Sequence, residues 1–441
     1  MPPLRSTLNN ASRSAVRNSF KNLEKHFSDR RWIGPRNYYK TDCINRLSNS
    51  PRESQLAQYI AASAPVHCMD GWGFIGRALD CLAKGDTYVS RHLGYYAELR
   101  ATMALLATEG IGIFNQKHFI INGNNQCTRI SQNMGTHDMA WSALETWANL
   151  PQSSSLLGEI ISSHRISLMD WMIGFFPGGG FPTIGTTWLK AWGVDLREIS
   201  NDRGIRNEAS YRPTRLNNIA PQPPNECIQF INEFWTLFEP SESLPFSNLD
   251  QHLARESLDK IYKSITGKRP NPATKKFTQL INSTVNHFFD PITSLVSNNY
   301  LKKFFTRAVQ PETPNLIKYA EKPPSLTDPD LHFQIISRAA LLLRIATGAT
   351  AQLFKHQNLD KMSLDFWWKP LGEERGFWEP GNEPSNFSDL WADLEVVLNE
   401  EKSWREQVGS ALSFNSWHNN NSDCIQKLGG CERIALWGFG F

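Results

Sequence analysis

With 441 residues, 40% hydrophobic and 20% charged, the chain has material for two or three cores, which excludes a disordered or fibrous protein. It contains no run of 18 apolar residues, and its basic, Ser/Asn-rich N-terminus has no apolar segment; both features predict a cytoplasmic protein without a membrane span. The net charge of +3 is unevenly spread: residues 1–53 carry eleven Lys/Arg against four acids, and residues 360–401 carry eleven Asp/Glu against Lys361, Lys369 and Arg375. Such segments suit phosphates, a partner of opposite charge, or simply a solvated surface.

Residues 1–65 read as a basic, partly flexible preamble with a short helix around "SAVRNSFKNLEKHFS", and the globular part is expected from residue 66. "DGWGFIGRALDCLAKG" (70–85) predicts a helix closed by Gly85. Residues 86–110 give the clearest helical pattern. Asp86 is the N-cap, Gly110 the stop, and Val89, Leu93, Tyr96, Leu99, Met103 and Leu106 recur at spacings of three and four. Arg91 and Glu98 share one face of this helix, with Tyr95 between them.

Residues 136–150 and 154–176 predict two more helices, "PGGGFPTIG" (177–185) a loop, and "TTWLKAWGVDLREI" a return to helix. The glycine run lacks the G-K-[ST] ending of a phosphate-binding loop. A Pro/Asn-rich linker at 212–226 opens a middle region (216–330) with helices at 226–238, 248–267 and 273–307. A second proline-bearing break at 310–330 precedes a helix at 331–357 and an acidic, Trp-rich C-terminal region (331–441). Alternating strand patterns are scarce, so the fold class is mostly α.

Seven scattered cysteines form neither a disulfide framework nor a CxxC pair, which fits a reducing compartment. No metal site and no cofactor fingerprint is expected. Fifteen tryptophans, several in polar contexts, fit either packing or protein interfaces.

"RNEASYRP" (206–213) carries the most chemistry: Arg206, Asn207, three residues, Tyr211, then Pro213, which ends any helix by Arg212. Together with the "YYAELRATMALL" helix, this order resembles the HEPN superfamily, helical bundles of prokaryotic toxins, CRISPR-linked ribonucleases and abortive-infection proteins. Arg206 matches the family's arginine and Asn207 its polar position, while Tyr211 stands where the family has histidine. The resemblance covers roughly residues 66–215. It implies a HEPN-like bundle followed by further helices, RNA as substrate, a homodimer or larger complex, and an antiviral or toxin setting.

The chemistry can be argued independently of the family. Metal-independent RNA cleavage needs a base for the 2′-hydroxyl, an acid for the leaving oxygen, and a cation for the charge developing on phosphorus. Arg206 suits the cation role, because a guanidinium pairs bidentately with phosphate and stays charged. Tyr211 has an ordinary pKa of about 10, too high for a base at neutral pH unless Arg203, Arg212 and Arg215 pull it down. These three arginines also suit phosphate contacts. Glu98, Arg91 and His137 are the supporting candidates: Glu98 to orient Arg206, and His137, or else His92 or His164, as an alternative base.

Two readings follow, a HEPN-like effector with metal-independent ribonuclease chemistry, or a non-catalytic nucleic-acid-binding or assembly subunit. A third possibility is purely structural, a helix end whose arginines pair with Glu208, Asp202 or Asp195.

Overall fold

The computed structural model describes residues 4–20, 53–114, 117–130, 134–199, 202, 204, 207, 222–241, 244–289 and 295–440. The fold is mostly helical, as the scarcity of strand patterns predicts. Three long helices form its centre: α3 (Glu53–Ala83), α4 (Thr87–Thr108) and α14 (Leu331–His356). All three are buried around most of their circumference, which is why the amphipathic pattern is weak in α4.

α4 runs antiparallel to α3, joined by a tight turn in which Gly85 has φ +79° and the Asp86 carboxylate accepts from the Val89 N–H at 3.0 Å. α14 lies parallel to α4. A Cβ on Gly94 of α4 would stand 3.0 Å from Ile335, and one on Gly71 of α3 would stand 2.4 Å from Leu343. Both helices therefore depend on glycine where α14 approaches most closely. Trp72 donates to Thr347 at 3.0 Å across the same contact, so the indole N–H is satisfied inside the core.

The amino-terminal helices α1 (Leu4–Leu8) and α2 (Arg13–Phe20) belong to this core: Leu8, Val16 and Phe20 are fully buried. Arg13 bonds Glu109 at 3.0 Å and the Ala349 carbonyl at 2.7 Å, tying α2 to the end of α4 and to α14. α3 begins at Glu53, ahead of the expected start near residue 66, and passes through Pro65. Interior proline costs a helix roughly 3 kcal/mol. Ile60, Ala61, Ala64, Cys68 and Met69, buried on both sides of it, offset that cost.

After α4 the chain makes a three-stranded antiparallel sheet, β1 (Ile111–Ile113), β2 (His118–Ile121) and β3 (Cys127–Arg129), followed by α5 (Thr136–Ala148) and α6 (Pro151–Ile160). The helix expected over 154–176 is interrupted. α6 stops at Ile160, a hairpin of β4 (Ser162–Ser163) and β5 (Ile166–Ser167) intervenes, and α7 (Leu168–Phe175) restarts with Ser167 accepting from the Asp170 N–H. His164 and Arg165 take φ values of 55° and 65° in the hairpin turn, a conformation closed to a helix. α8 (Gly185–Ala191) ends before Gly193, whose φ is +88°.

The C-terminal half adds α9 (Pro224–Phe238), α10 (Ser247–Thr266), α11 (Lys275–Phe288), α12 (Leu295–Phe305), α13 (Asn315–Glu321), α15 (Asp365–Glu374), α16 (Leu390–Val408), α17 (Phe414–Asn420), α18 (Ser422–Leu428) and α19 (Glu432–Gly438). Apolar side chains from all regions of the sequence meet in one contiguous core. Among the described residues eight tryptophans are fully buried, and those in α7, α8 and α9 donate their N–H inside the protein: Trp171 to the Ser163 carbonyl, Trp188 to Ser154, Trp235 to the Leu428 carbonyl. For these residues the indoles serve packing.

Candidate functional site

Where the amino-terminal halves of α4 and α14 run side by side, their contact includes several polar side chains. From α4 come Arg91, Tyr95 and Glu98, spaced four and three residues apart along about 10 Å of one face. From α14 come His332, Ile335 and Arg338. All six are buried. A typical helix–helix contact in a core is apolar, so three ionisable groups and a histidine in such a seam need partners.

Arg338 is the centre of the seam. Its Nη2 and Nε donate to Asp202 Oδ2 at 2.7 and 3.0 Å, and Nε stands 3.5 Å from Glu98 Oε1. The guanidinium and both carboxylates are out of contact with water. Two carboxyls share one cation, so burial and the neighbouring charge disfavour double ionisation. Burial, then the Asp202 charge, pushes the Glu98 carboxyl well above its ordinary value, with Arg338 opposing. Asp202 is also pushed up by burial, with its two short bonds from Arg338 opposing.

One end of the seam holds Arg91 and His332. Arg91 lies 4.9 Å from the Tyr88 ring centroid; among the described residues neither its Nε nor either ring nitrogen of His332 has a hydrogen-bond partner. Burial, reinforced by the Arg91 charge, pushes the His332 pKa down to about 3, so this imidazole is neutral at physiological pH. Gln334 donates to Asp328 at 2.6 Å, bracing the start of α14.

Tyr95 turns from the seam toward α5. Its hydroxyl is 2.7 Å from His137 Nδ1, with the two rings stacked at 5.6 Å, and Trp141 donates to the same hydroxyl at 3.5 Å. Tyr96 packs on His92 and on His137 at ring separations of 5.0 and 6.2 Å. His137 is half-buried, so a proton on its ring can exchange with solvent while the ring stays oriented. His164 lies in the β4–β5 turn with its ring edge on Phe289, on a different element.

Arg206, Tyr211, Arg203, Arg212 and Arg215 lie outside the described residues, as do Glu208 and Pro213. Asp202, Gly204 and Asn207 are helical, with Asp202 buried and Asn207 exposed. The carboxylates offered as partners for the motif arginines take other cations: Asp202 holds Arg338, and Asp195 holds Lys190 at 2.9 Å. Among the described residues, the cation facing Glu98 is Arg338.

The sequence reading overlooked Arg338, His332 and the hydroxyl of Tyr95. A lone arginine in "IISRAALLL" was the available signal for the first, because an isolated charge in an apolar helix needs a buried partner. Among the described residues no group of three or more His, Cys, Asp or Glu side chains could hold a metal ion. Cys424 and Cys431 are buried thiols pushed up by burial. No helix among the described residues is long and apolar enough to cross a membrane. Comparison with known families, with characterised proteins and with solved structures finds no match.

Proposed function

We propose that the chain is a HEPN-like helical effector that acts on RNA in a prokaryotic antiviral or toxin setting. Arg206, Asn207 and Tyr211 form the reacting end of its site. The observation that carries this reading is the mooring of Asp202, four residues before Arg206, to Arg338 in a dry seam beside Glu98. A cleavage site needs its groups held within a fraction of an ångström, and a buried charge cluster resists displacement more firmly than a solvated contact. Helix α4 also presents Tyr95, about one turn from Glu98, to His137 of α5. In this reading Arg206 stabilises the phosphoryl charge and Asn207 orients a phosphate oxygen. Tyr211 donates a proton, with His137 as the candidate base.

The second reading is a non-catalytic nucleic-acid-binding or assembly subunit, favoured by the tyrosine in the histidine's position. One experiment separates the two: cleavage of labelled RNA by the purified protein in EDTA, comparing wild type with Arg206→Ala, Tyr211→Phe and His137→Ala. Cutting that falls by roughly two orders of magnitude or more in Arg206→Ala supports the effector reading. The Tyr211 and His137 variants then assign the proton transfers. Wild-type protein that binds RNA but leaves it intact, alone or as a complex with its partners, supports the subunit reading instead.

A further inference from the structure

A strong basic charge asymmetry lies well away from residues 202–211 in sequence. From Lys260 to Gln310 the chain has nine Lys/Arg (260, 263, 268, 269, 275, 276, 302, 303, 307) and a single acid, Asp290. Two of the nine are committed: Lys260 pairs with Glu321 at 2.6 Å, and Arg307 pairs with Glu256 and Asp259 at 2.8 and 2.6 Å. The other seven have no carboxylate within ion-pair distance among the described residues, and all but the half-buried Lys302 are exposed.

The backbone presents five of them together. α10 ends at Thr266, and Gly267 takes φ 68° to stop it. The Thr266 hydroxyl accepts from the Lys268 N–H at 3.2 Å, Asn271 Oδ1 accepts from the Ala273 N–H at 2.9 Å, and Thr278 donates to the Pro272 carbonyl at 2.9 Å. Tyr262 packs edge-on against Phe277 at 5.0 Å, which joins the end of α10 to the start of α11. Lys263, Lys268, Arg269, Lys275 and Lys276 therefore flank one braced turn. α12 packs on α11 and carries Lys302 and Lys303.

The inward face of α11 is already spent. Phe277, Ile281, Thr284 and Val285 are buried, and Thr284 donates to the Gly174 carbonyl at 3.0 Å. Beyond Lys275 and Lys276 the outward side of α11 carries the exposed polar residues Gln279, Ser283 and Asn286. A helix that inserts into a lipid surface needs its apolar face for the lipid, and this one has used that face for the core. Unpaired cations clustered at one braced turn, with exposed amides further along α11, instead match a phosphodiester backbone, whose charges repeat and whose sugars accept and donate.

We infer that the α10–α11 turn and the adjoining end of α12 form a docking surface for the phosphate backbone of RNA. The inference rests on the reading of this chain as RNA-directed and adds to it the place where the strand is held. Capture here is electrostatic and indifferent to sequence. It concentrates substrate on the protein while the chemistry is done elsewhere.

The test is anisotropy of a fluorescein-labelled single-stranded RNA of about 20 nucleotides, titrated with the full chain between about 50 and about 200 mM salt. Wild type is compared with Lys268→Gln/Arg269→Gln/Lys275→Gln/Lys276→Gln and with a control that removes exposed charge elsewhere, Lys355→Gln/Lys402→Gln. With four phosphate contacts removed, the variant binds on the order of 100-fold more weakly at 0.1 M salt, and its log–log salt slope is shallower by about 3. The control retains wild-type binding, and the charge-preserving Lys268→Arg/Lys275→Arg/Lys276→Arg variant restores the slope.

Unchanged affinity and slope in the quadruple variant would overturn the docking surface while leaving the RNA-directed reading intact. If wild type fails to bind RNA even at low salt, both ideas fall. Preferential binding to vesicles rich in phosphatidylserine, lost in the same variant, would overturn the inference in favour of a lipid surface. Loss of self-association in the variant without any RNA binding would assign the patch to the acidic region of a second copy.

Discussion

Glu98 is where a single proton matters most in this chain. Burial and the Asp202 charge hold its carboxyl well above the ordinary value of 4.5. A carboxyl whose folded-state pKa is raised contributes stability that is fully present below the unfolded value and is lost as pH rises toward the folded one, since the folded state then gives up a proton it holds tightly. Glu98→Gln keeps the shape and abolishes the titration. Its melting temperature relative to wild type is therefore expected to rise from about pH 5 to about pH 8. The gain grows by at most about 1.4 kcal/mol per pH unit while the protonation states differ. Parallel curves for the two proteins would show that Glu98 is ionised throughout and that Arg338 alone satisfies it. Glu98, Arg91 and His137 stand out in the sequence, where Glu98 is a candidate to orient Arg206, a residue outside the described ones. The described cation is Arg338, more than two hundred residues further along the chain. Charge partners across such a separation leave no local pattern.

At the scale of elements, the helices bounded by strong signals were readable and the interruptions were not. α4 starts after Asp86 and ends before Gly110, as the cap and stop residues dictate. The β4–β5 hairpin was hidden, because apolar residues continue through 154–176 at helical spacing and the turn uses His164 and Arg165 where Asn or Gly would have announced it. That choice leaves strain in the turn. Arg165 is exposed, so Arg165→Gly removes little contact and relieves a left-handed backbone that disfavours side chains. The variant is expected to be more stable by about 1 kcal/mol, read as a higher urea midpoint at unchanged slope. A lower midpoint would mean that the Arg165 side chain, and not the turn geometry, holds the hairpin.

For the molecule as a whole, length and composition suggested two or three lobes divided at residues 215 and 330. α14, which opens the C-terminal region, lies against both α3 and α4 in the middle of the core, and Arg13 of α2 reaches the α14 carbonyl of Ala349. Elements that share one core lose it together, so scanning calorimetry is expected to show one endotherm. A second resolved transition from the C-terminal region would contradict that coupling. Periodicity along the chain defines the best-capped helices, such as α4, and the mostly α class, because those follow from interactions between residues three or four apart. The seam of Arg338, Glu98 and Asp202, the neutral His332, the Tyr95–His137 pair and the interlocking of the regions depend on contacts between distant segments. Packing selects these contacts through shape and the cost of burying charge, and neither is visible until the helices lie side by side.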